Sequence, residues 1–168
     1  KFSLAQGTVT VRQPVVGGVA ILGAALVGMW GQPIAVRAFY SLNGQPQVLI
    51  TNNASAGGQL SLPNLQVGDT MVMTGQRSDN GQTFSSNGNN GHVWSLKRGD
   101  VVPSLAGFGG QTSVAQFLAG RVDASGRLTI DTDAVIYLFE LGTSTDYEHN
   151  SGADFQDLVV LVTFTSNQ

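Results

Sequence analysis

The strongest constraint on the fold is an Asn-Gly pair that separates two predominantly apolar, strand-like runs. The runs are residues 34–42 and 45–51, and Asn43-Gly44 lies between them. Asn-Gly supplies the two positive-φ residues of the type I′ turn, which joins antiparallel strands in a tight hairpin. Pro46 indicates that the second strand starts at a sheet edge or just outside the ladder, because proline has no N–H to donate.

Short runs of this kind recur along the chain. Each is rich in β-branched and aromatic residues and is bounded by Gly, Asn, Asp or Pro, a pattern typical of strands joined by turns. The further runs are residues 8–12, 69–74, 92–96, 127–130, 134–141 and 158–164. The pattern predicts one all-β domain, residues 1–168, folded as a β-sandwich with one short helix, and the jelly roll is an arrangement that fits it.

A helix and a long loop are predicted between these strands. Residues 112–119 contain Ser113 and, three positions later, Gln116, which is the spacing of a capping box. Gly120 is suited to end that helix. Residues 78–91 are rich in Asn, Gly and Ser and predict a long exposed loop.

Residues 15–30 are the most apolar stretch of the chain. The stretch is shorter than the roughly 20 apolar residues that a spanning helix needs and contains four glycines, so no membrane span is expected. Its β-branched residues and Gly17-Gly18 favour two buried strands joined by a tight turn, and a helix is the alternative. A third interpretation is that the stretch packs into a neighbouring subunit, where a lent strand would complete an open sheet edge.

Composition excludes several classes of function. Charged residues make up 11% of the chain, well below the roughly 25% of a typical soluble domain. The chain has only two lysines, Lys1 and Lys97, so it lacks the basic footprint of a nucleic-acid-binding protein. It has no Cys, which excludes disulfides and thiolate metal sites.

Acidic residues concentrate near the C-terminus. From residue 128 to residue 168 the chain contains seven Asp or Glu and no Lys or Arg. Residues 146–157 place oxygen-bearing side chains at positions 1, 3, 5, 9 and 12 of a twelve-residue loop, the rhythm with which a loop wraps Ca²⁺. The expected ligands are Asp146, Glu148, Asn150, Asp154 and Asp157. The loop departs from the helix-flanked calcium consensus, and an ordinary solvated acidic turn is the alternative.

Glu140 ends the apolar run of residues 134–141 just before this loop. A carboxylate at that position is costly to bury without a partner. It is therefore either a sixth metal ligand donated from across the loop or a rim residue in water.

The residues around Glu140 and the end of the loop resemble a known family. Tyr137-Leu-Phe-Glu140, followed by Asp154-Phe-Gln-Asp157-Leu-Val-Val, is similar to the C-terminal signature of a bacterial extracellular β-domain family of unknown function. The resemblance covers about residues 134–163 and implies a calcium-associated β-sandwich of secreted, surface and matrix proteins. It carries over Glu140, Asp154 and Asp157 as site positions. Gln156 stands where that family usually has Asn, and Leu141 where it often has a second acid.

These observations together predict a non-enzymatic, calcium-stabilised structural subunit or surface module. Low charge and the apolar stretch favour assembly with copies of itself, as a filament or surface layer, and an irregular acidic loop suits the millimolar calcium outside cells. No sequence pattern of a Cys nucleophile or a His-Glu-x-x-His metal site is present, and His92 and His149 are far apart in the chain.

The alternative is a calcium-dependent module that binds extracellular polysaccharide through exposed aromatic residues. The candidates for that role are Trp30, Trp94, Tyr40, Tyr137 and Tyr147.

Overall fold

The computed structural model describes residues 1–88, 91–105, 111–142 and 153–167. These residues form eleven strands in two antiparallel sheets, with one short α-helix and one 3₁₀ turn (Ala54–Ala56). The strands are β1 (Phe2–Ala5), β2 (Thr8–Val11), β3 (Val15–Gly23), β4 (Val36–Leu42), β5 (Val48–Thr51), β6 (Gly58–Ser61), β7 (Thr70–Arg77), β8 (Thr83–Ser85), β9 (Val93–Leu96), β10 (Ala134–Phe139) and β11 (Leu158–Ser166), and the helix is α1 (Val114–Phe117). The predicted all-β sandwich with one short helix is confirmed.

The two sheets differ in how their strands follow one another. The first sheet has the order β1-β2-β7-β4-β5, with β8 beside the second half of β7. The second sheet has the order β6-β3-β11-β10-β9. The 3₁₀ turn connects β5, an edge of the first sheet, to β6, an edge of the second. These two edges therefore share one flank of the sandwich, and β1 and β9 lie on the opposite flank.

The hairpin at Asn43-Gly44 is confirmed. Asn43 has φ +52° and Gly44 φ +68°, and Gln45 N donates to Leu42 O at 2.8 Å. A second hairpin, β1–β2, turns at Gln6 (φ +47°) and Gly7 (φ +73°). The sequence analysis missed it because Gln-Gly is not among the dipeptides that mark type I′ turns.

The prediction of two strands across residues 15–30 is wrong, and so is the helical alternative. Residues Val15–Gly23 form the single strand β3, which runs straight through Gly17-Gly18 and pairs with β11 on one side and β6 on the other. Both edges of β3 pair within the chain, and engagement of residues 15–30 with a neighbouring subunit stays a prediction. Only the continuation of the stretch is exposed, at Met29 and Trp30. Among the described residues no helix is long and apolar enough to cross a membrane.

The loop predicted for residues 78–91 needs correction as well. It contains β8 (Thr83–Ser85), which pairs with β7 between Thr74 and Gln76. A three-residue strand between Gly and Asn residues is too short to give a periodic pattern, so sequence analysis reads it as loop.

Two hydrophobic clusters hold the layers together. The first fills the space between the sheets, with Tyr137, Phe139 and Phe164 among its largest members. The second lies on the outer face of the second sheet, beneath α1 and its flanking segments. The helix has the predicted capping box, since Ser113 Oγ accepts from Gln116 N and the Gln116 side chain accepts from Ser113 N. Because β10 and β11 contribute to both clusters, their ends are held in fixed positions, and it is at those ends that the acidic loop leaves the sheet.

Candidate metal centre

The ends of β10 and β11 bring distant acidic residues together. Phe139, the last residue of β10, pairs with Leu158, the first residue of β11. Glu140 and Asp157 are the next residues outward on each strand, so the antiparallel register places them side by side. We call this region, residues 140–142 and 153–157, the neck of the acidic loop.

The neck consists of two stems, residues 140–142 and 153–157. Each carboxylate accepts hydrogen bonds from backbone N–H groups of the opposite stem, and these bonds close the neck. Asp157 Oδ2 accepts from Leu141 N at 2.6 Å and from Gly142 N at 2.7 Å. Glu140 Oε2 accepts from Asp154 N at 2.9 Å and from Phe155 N at 3.3 Å. Glu140, directly after β10, therefore holds the backbone that leads into β11, and Asp157, directly before β11, holds the backbone that follows β10.

The two carboxylates also meet at one N–H. Glu140 Oε1 accepts from Gly142 N at 3.0 Å, the same group that Asp157 Oδ2 binds. A Cβ added to Gly142 would lie 3.1 Å from Glu140 Oε1 and 3.4 Å from both Asp157 Oδ2 and the Leu26 Cδ1 methyl. The neck is thus packed closely around a glycine, and its acidic oxygens face one another across that glycine's amide.

Burial makes the charge at the neck costly. Glu140 and Asp157 are each 2% exposed, and Asp154 is 5% exposed. Burial, and next the negative charge of Glu140, raise the pKa of Asp157 well above its ordinary value, while the hydrogen bonds from Leu141 and Gly142 oppose that rise. The metal-free neck therefore favours a bound proton on Asp157.

Arg77 is a cation near the neck, but its main partner is Asp79. Arg77 donates to Leu141 O at 3.4 Å, but its guanidinium binds Asp79 through two hydrogen bonds of 2.8 Å. The bond to Asp79 is the main reason that the pKa of Arg77 is raised, and Asp157 contributes a smaller part. Arg77 therefore offsets only some of the negative charge of the neck.

The segment that follows β3, residues 24–34, folds back on itself and packs against the neck. Ala25 N donates to Gln156 O at 3.2 Å, and Gln156 Nε2 donates to Ala25 O at 3.1 Å and to Gln111 Oε1. Gln156 is fully buried, and within the described residues its Oε1 has no hydrogen-bond partner. Met29 and Trp30 lie at the exposed tip of this segment, 89% and 87% exposed. The tip and the acidic loop thus emerge at the same end of the sandwich.

His92 supports the neck from the other side. Glu140 N donates to His92 O at 2.9 Å, and His92 Nδ1 lies 3.0 Å from Glu140 O. The imidazole is buried and stacks on Phe84 with ring centroids 3.7 Å apart. The sequence pattern placed His92 at the start of the run 92–96, and in the structure its imidazole is packed beside Glu140.

The predicted ligands divide into two groups. Glu140, Asp154 and Asp157 lie together at the neck, and Glu140 is buried there rather than solvated at a rim. Asp146, Glu148 and Asn150 lie outside the described residues. Sequence reasoning missed Gln156 and Gly142 as neck residues, although a glycine directly after an apolar strand and an amide between two acids were signals that could have pointed to them.

The chemistry of the neck fits a hard divalent cation. Its carboxylate oxygens are the ligands that Ca²⁺ prefers, and Glu140 Oε1, which accepts one N–H from Gly142, keeps a second lone pair for a metal. Within residues 1–88, 91–105, 111–142 and 153–167, however, no three or more His, Cys, Asp or Glu side chains form a group that could hold a metal ion. A complete calcium site therefore requires oxygens beyond the neck carboxylates.

Comparison of the chain with protein-family models, with curated proteins and with solved structures found no match. The family resemblance of residues 134–163 therefore stays a prediction.

Proposed function

We propose that the chain is a non-catalytic structural module of an exported or cell-surface assembly, stabilised by Ca²⁺ at the neck and joined to copies of itself. The observation that carries this proposal is the burial of three carboxylates, Glu140, Asp154 and Asp157, where one loop leaves the sheet. Buried negative charge destabilises a fold unless a proton, a cation or a metal compensates it. A divalent ion compensates two negative charges at once.

The neck carboxylates and the loop would share the ion. Glu140, Asp154 and Asp157 would supply oxygens from the neck, and the spacing of the sequence nominates Asp146, Glu148 and Asn150 from the loop. The ion would remove the repulsion between Glu140 and Asp157 while both keep their hydrogen bonds to the backbone. The ends of β10 and β11 would then be fixed without a proton on Asp157. Millimolar calcium outside cells saturates even weak sites of this kind, which favours export.

The first prediction concerns calcium removal. A ligand that binds only the folded state adds about 2.7 kcal/mol at a hundredfold excess over Kd, which is roughly 5–10 °C in melting temperature for a domain of this size. We expect the wild-type protein to melt that much lower in chelator than in excess Ca²⁺, as measured by circular dichroism or calorimetry. Asp157→Asn keeps the shape of the side chain but removes a charged ligand, so it should lose most of the shift.

The matched control for this prediction is Asp123→Asn. Asp123 is exposed, and its Oδ1 accepts from Ser125 N at 2.8 Å and from Arg127 N at 3.0 Å, which an amide oxygen can also do. This variant should retain the full calcium shift. Equal melting of the wild type with and without calcium would contradict the proposal.

The second candidate function is a calcium-dependent carbohydrate-binding module. The observation that favours it is Trp30, an aromatic side chain that is 87% exposed at the tip of the segment after β3. Of the other aromatic candidates, Tyr40 and Tyr137 are buried, Trp94 is half-buried against Phe155, and Tyr147 lies outside the described residues. Retention on insoluble polysaccharide that requires calcium and is lost in Trp30→Ala would favour this function over assembly.

A further inference from the structure

Each sheet has two edge strands without an outer partner strand in the described chain, β1 and β5 in the first sheet and β6 and β9 in the second. Of these four, β5 carries the exposed apolar residues Val48 and Leu49, and β9 lines a cleft. Free strand edges present rows of N–H and C=O groups that readily pair with another strand. The two edges differ in what surrounds them, and the difference determines which partner each can accept.

The free edge of β9 faces a cleft. Glu140 N donates to His92 O, and the register continues with Trp94 opposite Leu138. Because hydrogen-bonded pairs alternate with non-hydrogen-bonded pairs in an antiparallel ladder, Val93 and Ser95 direct their N–H and C=O groups away from β10.

The cleft beside β9 has a volume of about 420 Å³ and is walled on its far side by the β1–β2 hairpin. Leu4 of that hairpin and Val93 of β9 both line the cleft and pack against the main core. The core between the sheets thus reaches the surface along this flank. An additional strand beside β9 would cover it.

The free edge of β5 lies on the opposite flank and projects outward. Asn43 N donates to Thr70 O. Because hydrogen-bonded and non-hydrogen-bonded pairs alternate along β4, Phe39 directs its backbone N–H and C=O toward β7, and Tyr40 directs its own toward β5. Leu49, which is opposite Phe39, therefore directs its N–H and C=O away from β4. The side chains of Val48 and Leu49 are 44% and 42% exposed, so the first half of β5 is open on both faces, whereas Ile50 packs against the core.

The flank that carries β5 is also free of charge. No Lys, Arg, Asp or Glu occurs from residue 38 to residue 68. Protruding edge strands are usually guarded by charged side chains, particularly Lys. The bulge between Phe39 and Ala38 limits the regular edge of β5 to the residues up to Leu49, so the pairing surface is short and its affinity modest.

We infer that β5 of one copy enters the cleft beside β9 of the next copy and extends its second sheet. This contact deepens the self-assembly in the proposed function and rests on it. In an antiparallel arrangement, Val93 opposite Leu49 of the next copy forms one hydrogen-bonded pair. Because the two edges lie on opposite flanks, the contact is head-to-tail, and every added copy presents a new free β5 and a new free β9. Such a heterologous contact propagates into a filament.

The test uses two variants that each block one edge. Leu49→Lys places a charge on β5, and Ser95→Lys places one on β9. Val67→Lys is the matched control, because Val67 is an exposed apolar residue, 62% exposed, outside both edges. Leu49→Glu and Ser95→Glu are second variants in case a lysine substitution disturbs folding, which melting temperature reports. All are compared by sedimentation velocity in saturating Ca²⁺ over a concentration series that reaches the millimolar range.

We expect the wild type and Val67→Lys to form a ladder of oligomers as concentration rises. Leu49→Lys and Ser95→Lys should each stay monomeric alone, and their equimolar mixture should form a one-to-one dimer and nothing larger. A monomeric wild type at every concentration, a mixture that stays monomeric, or dimers of Ser95→Lys alone would each overturn the inference. Calcium-dependent melting without oligomers would leave the metal proposal standing, and oligomers without calcium-dependent melting would leave the edge contact standing.

Discussion

Replacing Gly7 by Ala is expected to lower the free energy of unfolding by about 3 kcal/mol. Gly7 has φ +73°, and a Cβ there would lie 1.7 Å from Ser86 O. An L-residue costs roughly 1–2 kcal/mol in the left-handed region, and overpacking adds about 1–3 kcal/mol. The displaced backbone also carries the hydrogen bond from Ser86 Oγ to Gly7 O at 2.7 Å.

Gly44→Ala is the matched control for this prediction. Gly44 has nearly the same φ, +68°, but nothing lies within 4 Å of the added Cβ. Gly44→Ala should lower the free energy of unfolding only by the cost of an L-residue at positive φ, about 1 kcal/mol. Urea denaturation in excess Ca²⁺ measures both variants. Equal losses of stability would show that Gly7 is not held against Ser86, and the far wall of the cleft beside β9 would then lose its support.

The second large effect is a dependence of stability on pH that calcium abolishes. Burial and the charge of Glu140 raise the pKa of Asp157 in the folded state above the 3.8 of an exposed aspartate. The folded state then binds a proton that the unfolded state has released, so stability is greatest below the unfolded pKa and is lost as pH rises through the folded pKa. In chelator, we expect the protein to become less stable as pH rises over this window. Excess calcium should remove the loss because the ion replaces the proton.

Asp157→Asn isolates this contribution, because an amide does not titrate there. In chelator the variant should show a flatter dependence on pH than the wild type, and above the folded pKa of Asp157 it should be the more stable of the two. Asp69 and Asp79 have a lowered pKa because of their hydrogen bonds to Gln66 and to Arg77, respectively, and they act in the opposite sense under acidic conditions. Their contribution is common to both proteins and cancels in the difference. Identical pH profiles for the two proteins would contradict a raised pKa at Asp157.

Local chemistry explains which parts of the fold the sequence could predict. The Asn43-Gly44 hairpin and the Ser113–Gln116 capping box depend on residues a few positions apart, and both are confirmed. The order of strands in the sheets depends on contacts between distant residues, which no spacing in the sequence encodes. For that reason the sandwich could be predicted but its topology could not.

Gly17 shows why one strand prediction was wrong. The sequence analysis interpreted Gly17-Gly18 as a turn, because glycine is the usual turn residue. In the structure, a Cβ on Gly17 would lie 2.9 Å from Leu62 Cδ1 and 3.1 Å from Thr163 O. The glycine is needed for the close approach of neighbouring groups inside a continuous strand. A glycine in a turn and a glycine inside a strand are the same residue in the sequence, so only the packing in the structure distinguishes the two roles.

The candidate site was predictable in part for the same reason. The clustering of acids marked Glu140, Asp154 and Asp157 as related positions, and the structure brings them together in a buried neck. Their hydrogen bonds to the opposite stem arise from the register of β10 and β11, which is a property of the sheet. The carboxylates bind the backbone of the opposite stems directly, a contact that no spacing in the sequence indicates.

Calorimetric titration of Ca²⁺ into chelator-stripped protein tests the central claim most directly. It should be made at mildly acidic pH, in two buffers of different ionisation enthalpy, so that protons released on binding are counted. Ligands must be deprotonated to bind a metal, so we expect saturable binding with proton release in the wild type and no such release in Asp157→Asn. Absence of saturable heat at millimolar Ca²⁺, or equal proton release from both proteins, would contradict a calcium ion at the neck.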